Sequence, residues 1–192
     1  MGLRERKKDQ TRLQLLEAAL ELIGRQGFED TTISQIATAV DISSRTVLRY
    51  FPTKEDVIVS WVEDGMALFL ATLEQRPSDE PAHLSLLASA REMLKSYQAR
   101  ADFYLTIERV IASSSGISAR KQEMSAALGE KVSKVLASRV SARGKPSMEI
   151  NLYPAVVFSM MRVVIKAWVA MEGQPKLLEL FDEAATLIKF RT

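Results

Sequence analysis

Apolar residues recur at three- and four-residue spacing along most of the chain, a pattern that predicts amphipathic helices. The pattern is most sharply delimited within residues 31–56. Its first apolar stripe consists of Ile33, Ile36, Ala37 and Val40. Thr32 and Gln35 have the spacing of a capping box, which fixes a helix start. Asp41 then breaks the register, because aspartate is unfavourable inside a helix and tolerates the left-handed turn conformation.

A second short helix is predicted at residues 44–50, directly after this turn. Ser43 is suited to cap its start. Its inward side chains are Val47, Tyr50 and the following Phe51. Arg45 and Arg49 are four residues apart and therefore share an outward face, and arginine pairs bidentately with guanine in the major groove. Two capped helices joined by a tight turn predict a helix-turn-helix DNA-binding element.

The predicted DNA-contacting surface continues to the start of the next helix. Thr53 is suited to cap that helix, which places Lys54 at an amide-rich N-terminus able to hold a phosphate. Between Ile42 and Lys54 there are three positive residues and no acidic one. The candidate DNA-binding residues are Thr32, Ser43, Ser44, Arg45, Thr46, Leu48, Arg49, Tyr50 and Lys54. Each alone is more typical of a solvated face, whereas their combined spacing favours DNA binding.

The rest of the chain also has helical periodicity, so the predicted fold class is all-α with about nine helices. The seven further helices are predicted at about 8–26, 53–75, 82–100, 102–112, 118–142, 148–171 and 175–189. The first has an apolar face of Leu13, Leu16, Leu20 and Ile23. Glycine or proline is expected to end or begin several of them, at Gly27, Gly144, Pro146, Gly173 and Pro175. The two prolines of the sequence RPSDEP, residues 76–81, predict a loop.

Charge changes this picture locally rather than globally. The net charge is only +2, so affinity for nucleic acid has to come from patches. Residues 1–12 contain five basic and two acidic side chains, giving +3. This segment is either a basic arm for phosphates or the minor groove, or a frayed and solubilising terminus, and the sequence leaves both open.

Residue chemistry argues against an enzyme and against a membrane protein. The chain has no cysteine, and His83 is its only histidine, so we predict no catalytic residue, no metal site and no cofactor. Residues 152–171 are long and apolar enough to suggest a membrane span, but Arg162 and Lys166 near their centre argue against it. The N-terminus lacks the apolar core of a signal peptide. The expected location is the cytoplasm, with nucleoid association when the protein is bound to DNA.

The pattern G-F-x-x-T-T-I-x-x-I-A-x-x-V-x-I-S-x-R-T-V-L-R-Y-F-x-x-K-E-D resembles the DNA-binding domain of TetR-family bacterial transcriptional regulators. The resemblance covers residues 11–58, about a quarter of the chain. Two positions depart from the family pattern: Asp41 replaces the usual turn glycine, and Leu48 replaces the common tyrosine. Leu48 offers contact with a thymine methyl group in place of a phosphate hydrogen bond.

The resemblance implies a DNA-binding domain at residues 1–53, with its arm at 1–12, and an effector-binding and dimerisation domain at 54–192. It further implies a homodimer that binds double-stranded operator DNA of inverted symmetry through its two reading heads. The expected function is a repressor released from a palindromic operator by a small hydrophobic or amphipathic effector. The form R-T-V-L-R-Y-F-P-T-K-E-D-V is similar to a TetR subgroup with acyl-CoA-like ligands. The alternatives are a TetR-like interaction protein without an effector and, far behind, a helical enzyme.

Two further sets of candidates lie in the C-terminal part. The candidate effector-binding residues are Met93, Tyr97, Phe103, Tyr104, Ile107, Met124, Leu128, Met161, Arg162 and Trp168. The candidate dimer residues are Val157, Val164, Leu177, Leu180, Phe181, Ala184, Leu187 and Ile188. At helical spacing, residues of the first set are more often plain core than cavity lining. Arg162 and Lys166 either receive an anionic head group or face solvent.

Overall fold

The computed structural model describes residues 2–140 and 148–190. This part of the chain contains nine α-helices and no strand. The helices are α1 (Leu3–Gln26), α2 (Ile33–Ala39), α3 (Ser44–Tyr50), α4 (Lys54–Gln75), α5 (Ala82–Gln98), α6 (Ala101–Ser113), α7 (Ser115–Val140), α8 (Glu149–Ala170) and α9 (Leu177–Leu187). The all-α prediction is confirmed. The expected helix end at Gly144 and Pro146 lies outside the described residues.

Packing divides the chain into two compact units. Unit 1 comprises Met1–Trp61 and Thr106–Lys121, and unit 2 comprises Val62–Leu105 and Gln122–Thr192. The sequence predicts a single boundary after residue 53. The structure differs because the end of α6 and the start of α7 pack with the N-terminal helices, a long-range association that helical periodicity does not reveal.

Helix α1 supplies a large part of the core of unit 1. Its most buried side chains are Leu15, Leu16, Ala19 and Ile23, at 8% exposure or less. Leu20, which the sequence places on the buried face, is only partly buried, so the face is rotated toward Leu15 and Ala19. The helix also begins earlier than predicted, at Leu3, which makes most of the basic segment 1–12 helical. Gly27 ends it with a φ of 83°, as expected for a left-handed C-cap.

Unit 2 is built around helices α5, α8 and α9, which pack against one another. Its apolar cluster contains the fully buried Phe69, Leu86, Leu94, Tyr97 and Trp168. Helix α8 is the one described helix long and apolar enough to cross a bilayer, but 44% of the relevant window is buried inside the protein. Nine of its residues, Met161 and Trp168 among them, are buried.

Helix α9 begins two residues later than predicted. Gly173 has a φ of 83° and ends the preceding turn, and the Gln174–Pro175 peptide bond is cis. Pro175 therefore precedes α9 instead of occupying its first turn. The side-chain oxygen of Gln98, at the end of α5, accepts a hydrogen bond from the backbone amide of Leu178 at 3.1 Å. This contact satisfies one of the free amides at the start of α9.

An ion-pair cluster fastens the loop between α4 and α5. The Arg76 guanidinium donates to the Glu80 carboxylate at 2.8 Å, and the Ser85 hydroxyl donates to the same carboxylate at 2.6 Å. Arg139 of α7 donates to Ser85 at 3.3 Å and to the carbonyl oxygens of Leu73 and Arg76 at the end of α4. The hydrogen bond from Arg76 lowers the pKa of Glu80 to about 2. The cluster thus stabilises the folded state when Glu80 is charged.

Glu80→Gln should reduce the stability of the protein near neutral pH, with a difference that shrinks on acidification. Because the folded pKa of Glu80 is about 2, below its ordinary value of 4.5, its contribution is complete above about 4.5 and is lost between 4.5 and 2. Urea unfolding at several pH values measures this. Glu183→Gln, at an exposed carboxylate of α9, is the matched control. A constant difference between wild type and Glu80→Gln from pH 7 to 2 would contradict the assignment.

Candidate nucleic-acid interface

Side-chain caps position the short helices α2 and α3. At α2, the backbone amide of Gln35 donates to the Thr32 hydroxyl at 3.2 Å. In return, the backbone amide of Thr32 donates to the side-chain oxygen of Gln35 at 2.8 Å. At α3, the Thr46 amide donates to the Ser43 hydroxyl at 3.1 Å. Asp41 between them has a φ of 55°. The predicted capping box, second cap and left-handed turn are therefore confirmed.

Apolar side chains anchor α2 and α3 to the interior of unit 1. The buried set is Ile36, Ala37, Val47 and Phe51. Tyr50, predicted to point inward, is only half-buried, and the guanidinium carbon of Arg49 lies 5.6 Å from the centre of its ring. Tyr50 therefore keeps part of its surface available beside Arg49.

The outward surface of α3 combines charge with an apolar patch. Arg45 and Arg49 are exposed and one turn apart, and Leu48 is 48% exposed. The remaining candidates on α3, Ser44, Thr46 and Tyr50, are half-buried. A surface with two guanidinium groups and one exposed aliphatic side chain has the chemistry to pair with guanine edges and to contact a thymine methyl group.

Lys54 has partners that the sequence did not predict. Its ammonium group donates to the carbonyl oxygens of Phe28 at 2.9 Å and of Glu29 at 3.1 Å, and lies 4.3 Å from the centre of the Phe28 ring. These contacts hold the segment before α2 against the start of α4. The contact between Lys54 and a phosphate stays a prediction. The ammonium group has three N–H donors, and two of them already donate to these carbonyls, so one is left for a phosphate.

The start of α4 is capped as predicted, and the cap is tied to a second element. The Asp56 amide donates to the Thr53 hydroxyl at 3.1 Å, while the Thr53 amide donates to the Asp56 carboxylate at 3.2 Å. The other oxygen of that carboxylate accepts a hydrogen bond from Arg120 of α7 at 2.8 Å. Lys121, the residue after Arg120, forms an ion pair with the buried Glu108 of α6 at 2.5 Å. No local pattern predicts either pair, because the two partners are 64 residues apart in one and 13 residues apart in the other.

The candidate effector residues divide into three groups. Six lie together in the apolar cluster of unit 2, with Phe103 packed against them: Met93, Tyr97, Tyr104, Leu128, Met161 and Trp168. Ile107 is buried, but it belongs to unit 1, and Met124 is only half-buried outside the cluster. Arg162 and Lys166 are exposed. Arg162 therefore does not lie with the buried candidates, because α8 turns Met161 and Trp168 inward and Arg162 outward.

The centre of this cluster is closely packed around aromatic rings. The rings of Tyr97 and Tyr104 are stacked with their centroids 3.8 Å apart. A methyl group on Gly65 would lie 3.1 Å from the Tyr97 ring and 3.3 Å from the terminal carbon of Met93. Burial raises the pKa of the Tyr104 hydroxyl. Gly65 thus allows the close approach of two candidate residues.

Half of the candidate dimer residues are core residues of the chain itself. Val157, Val164, Leu177 and Phe181 are at most 3% exposed, so they have no surface left for a partner. The error arises because α8 is apolar on nearly all sides, which conceals its outer face. The accessible candidates are Leu180, Ala184, Leu187 and Ile188.

The outer face of α8 also carries exposed apolar residues that are not among the predicted dimer residues. Val163 is 62% exposed and Leu152 is 51% exposed, whereas Leu187 on α9 is 80% exposed. Between α8 and α9 these elements form a concavity of about 490 Å³, the α8–α9 concavity, lined by Ala155, Val156, Ser159, Met160, Val163, Ala184, Leu187 and Ile188. The exposed stripe could have been found from the spacing of Leu152, Val156, Ser159 and Val163.

The caps, the turn and the outward arginines define a helix-turn-helix DNA-binding protein. The family model for bacterial regulatory proteins of the tetR family matches residues 15–60. The regulator TcmR of Streptomyces glaucescens is 30% identical over 173 residues, spanning 87% of this chain and 76% of TcmR. The chain belongs to the TetR family of bacterial regulatory proteins. It is a transcriptional regulator and not an enzyme.

Solved structures share this fold. The transcriptional regulator FadR of Bacillus subtilis in complex with stearoyl-CoA has a TM-score of 0.62 at 18% identity, over 91% of this chain and 96% of that one. NalD, the secondary repressor of a multidrug efflux pump in Pseudomonas aeruginosa, has a TM-score of 0.60 at 15% identity, over 93% and 96%. At these identities the similarity establishes the fold alone.

Arg45→Ala and Arg49→Ala should weaken the preference for the operator while leaving folding intact. Loss of a bidentate guanine contact is expected to cost about 1–3 kcal/mol and to relax selectivity at that base. Fluorescence anisotropy compares the DNA flanking the gene with a random duplex, at two salt concentrations. Arg25→Ala, whose side chain on α1 is 72% exposed, is the matched control. An unchanged ratio of specific to random binding in both variants would refute the assignment.

Proposed function

We propose that this regulator is a cytoplasmic repressor that binds a palindromic operator as a homodimer and leaves it when a hydrophobic or amphipathic effector binds. The observation that carries the DNA-binding half is the surface of Arg45, Leu48 and Arg49, presented by a capped helix. The remaining candidates Thr32, Ser43, Ser44, Thr46, Tyr50 and Lys54 support or flank that surface. This surface accounts for the recognition of bases. Dimerisation and the response to an effector rest on unit 2.

Dimerisation follows from the small size of the reading head and from the apolar face of unit 2. Helix α3 has only seven residues, so a single copy contacts too few base pairs for tight specific binding. Two copies related by a two-fold axis read two half-sites, which gives the operator its inverted symmetry. The exposed Val163 and Leu187 beside the α8–α9 concavity are the kind of apolar surface that a partner subunit covers.

The effector site is proposed within the apolar cluster of unit 2. Met93 and Met161 supply adaptable side chains, while Tyr97, Tyr104 and Trp168 supply flat apolar faces. Such a lining accepts a hydrophobic chain or ring more readily than a polar molecule. The complex of the similar regulator FadR with stearoyl-CoA makes a fatty acyl thioester the first effector class to test.

Helix α6 offers a route by which such an effector alters DNA binding. Tyr104 of α6 lies in the apolar cluster, and Glu108, one turn later, forms the buried pair with Lys121. The neighbouring Arg120 holds the Asp56 carboxylate, which caps α4 directly after the helix-turn-helix. By linkage, an effector that weakens operator binding must itself bind more weakly to the DNA-bound form.

An interaction protein without an effector is the second candidate. The close packing of Gly65 against Tyr97 and Met93 favours it, because a filled core leaves an effector less room. The two candidates share the DNA-binding surface and differ only in the response to small molecules.

Stearoyl-CoA should raise the melting temperature of the protein and lower its affinity for operator DNA, whereas coenzyme A without the acyl chain should do neither. Stabilisation is expected because a ligand that binds only the folded state shifts unfolding by mass action. Differential scanning fluorimetry and competition with labelled operator measure the two effects, and free stearate and aromatic drugs extend the screen. If no compound changes DNA affinity, the interaction protein is the better description.

Gly65→Ala should weaken effector binding several-fold while operator binding without effector persists. The added methyl group meets Tyr97 and Met93 at 3.1 and 3.3 Å, so the rings that line the proposed site must shift. Gly24→Ala on α1 is the matched control, since its methyl group meets nothing within 4 Å. Equal effector affinity in both variants would place the effector elsewhere.

Val163→Glu should dissociate the dimer, because burial of an unpaired carboxylate in an apolar interface is strongly unfavourable. Analytical ultracentrifugation is expected to show at least a tenfold weaker dimer, with a parallel loss of operator affinity. Leu84→Glu, at a 47% exposed leucine on α5, is the matched control. A dimer of unchanged strength in Val163→Glu would rule out the α8–α9 face.

A further inference from the structure

A groove runs between α7 and α8 within unit 2, at the outer edge of the apolar cluster, and Ile150 of that cluster is part of its lining. Its volume is about 790 Å³, and it is open to solvent along one side. The α7 wall includes a row of small side chains spaced four residues apart, Ser125, Gly129, Ser133 and Ala137, with Glu130 and Lys134 beside them. The α8 wall includes Ala155, Phe158 and Ser159. We refer to this feature as the α7–α8 groove.

The packing of the chain does not require glycine at the centre of this groove. A methyl group on Gly129 would meet only the edge of the Phe158 ring, at 3.7 Å, which is an ordinary contact. Alanine would also favour the helix, because glycine has greater freedom in the unfolded chain. Among the described residues, no side chain fills the space beside Gly129.

The groove is continuous with the proposed dimer face. Ala155 and Ser159 line both the α7–α8 groove and the α8–α9 concavity, so α8 separates two parts of one surface. On that surface the apolar side chains Val163 and Leu187 are exposed, whereas the row of Ser125, Gly129, Ser133 and Ala137 in the groove is small. Projecting apolar side chains and a recess on the same surface are what a self-complementary interface requires.

Charges at the groove have the same self-complementary character. Glu130 and Lys134 line the groove, are exposed, and lie one turn apart on α7. In a two-fold interface, each contact between two positions occurs twice, with the roles exchanged. An acidic and a basic residue side by side can therefore pair with Lys134 and Glu130 of the partner subunit.

We propose that the α7–α8 groove receives a second copy of this chain and extends the dimer interface from α8 and α9 onto α7. This inference rests on the proposed dimer. A small molecule is the less suitable occupant, because small-molecule sites bury most of their ligand, whereas this groove is open to solvent along one side. Helix α7 would thereby contribute to the interface through its small-residue stripe and through the pair Glu130 and Lys134.

Gly129→Trp tests the groove, since an indole in the recess excludes a partner. The dimer dissociation constant of the full chain should rise at least tenfold in analytical ultracentrifugation. Ala127→Trp, at an exposed position on another side of α7 that does not line the groove, should leave it unchanged. Circular dichroism melting checks that each variant is folded.

Charge exchange tests the same interface without a bulky side chain. Glu130→Lys and Lys134→Glu should each weaken the dimer, because each sets like charges against one another across the two-fold axis. The double variant with both exchanges should restore it, more clearly at low salt. A double variant no better than the single ones would contradict the proposed pairing.

The outcomes separate this inference from the proposed dimer. If Val163→Glu dissociates the dimer while Gly129→Trp and the charge variants do not, the α8–α9 dimer stands and the groove assignment is wrong. If Gly129→Trp abolishes binding of stearoyl-CoA with the dimer intact, the groove is a ligand site and the inference is overturned. A dimer insensitive to all of these variants contradicts both the α8–α9 face and its extension.

Discussion

Free amide groups at three successive helix starts are the constraint on which the DNA-binding unit depends. Helices α2 and α3 have only seven residues each, so the unpaired amides of their first turns are a large fraction of their backbone. The hydroxyl groups of Thr32, Ser43 and Thr53 each accept a hydrogen bond from one of these amides. Because the caps fix where each helix begins, they also fix which side chains of α3 point away from the core. The positions of Arg45 and Arg49 are thus a consequence of capping.

A long-range contact then completes this unit. The capping carboxylate of Asp56 also accepts a hydrogen bond from Arg120 of α7. Beside it, Glu108 of α6 and Lys121 of α7 form an ion pair. One carboxylate therefore serves a local role at the start of α4 and a tertiary role toward α7. A change in the α6–α7 segment acts on the very group that ends the helix-turn-helix. In the proposed function, this arrangement links the effector response to the start of α4, a link that a simple division after residue 53 does not contain.

The parts of the structure that depend on neighbouring residues could be predicted from the sequence. The caps at Thr32 and Ser43 and the left-handed Asp41 were predicted correctly, because each involves contacts within four residues. The partners of Lys54 were not, since the carbonyls of Phe28 and Glu29 are more than twenty residues away. Periodicity also failed on α8. When nearly every side of a helix is apolar, sequence alone does not distinguish the buried Val164 from the exposed Val163.

The exposed Leu48 has a consequence for how such a regulator diverges. About half of its surface is open, while Val47 beside it is fully buried and holds α3 in place. Replacements at exposed positions usually change stability by less than about 0.5 kcal/mol. In the proposed function Leu48 faces a base, so base preference at this position is free to drift without loss of the fold. After gene duplication, two copies can acquire different target sites before their scaffolds differ.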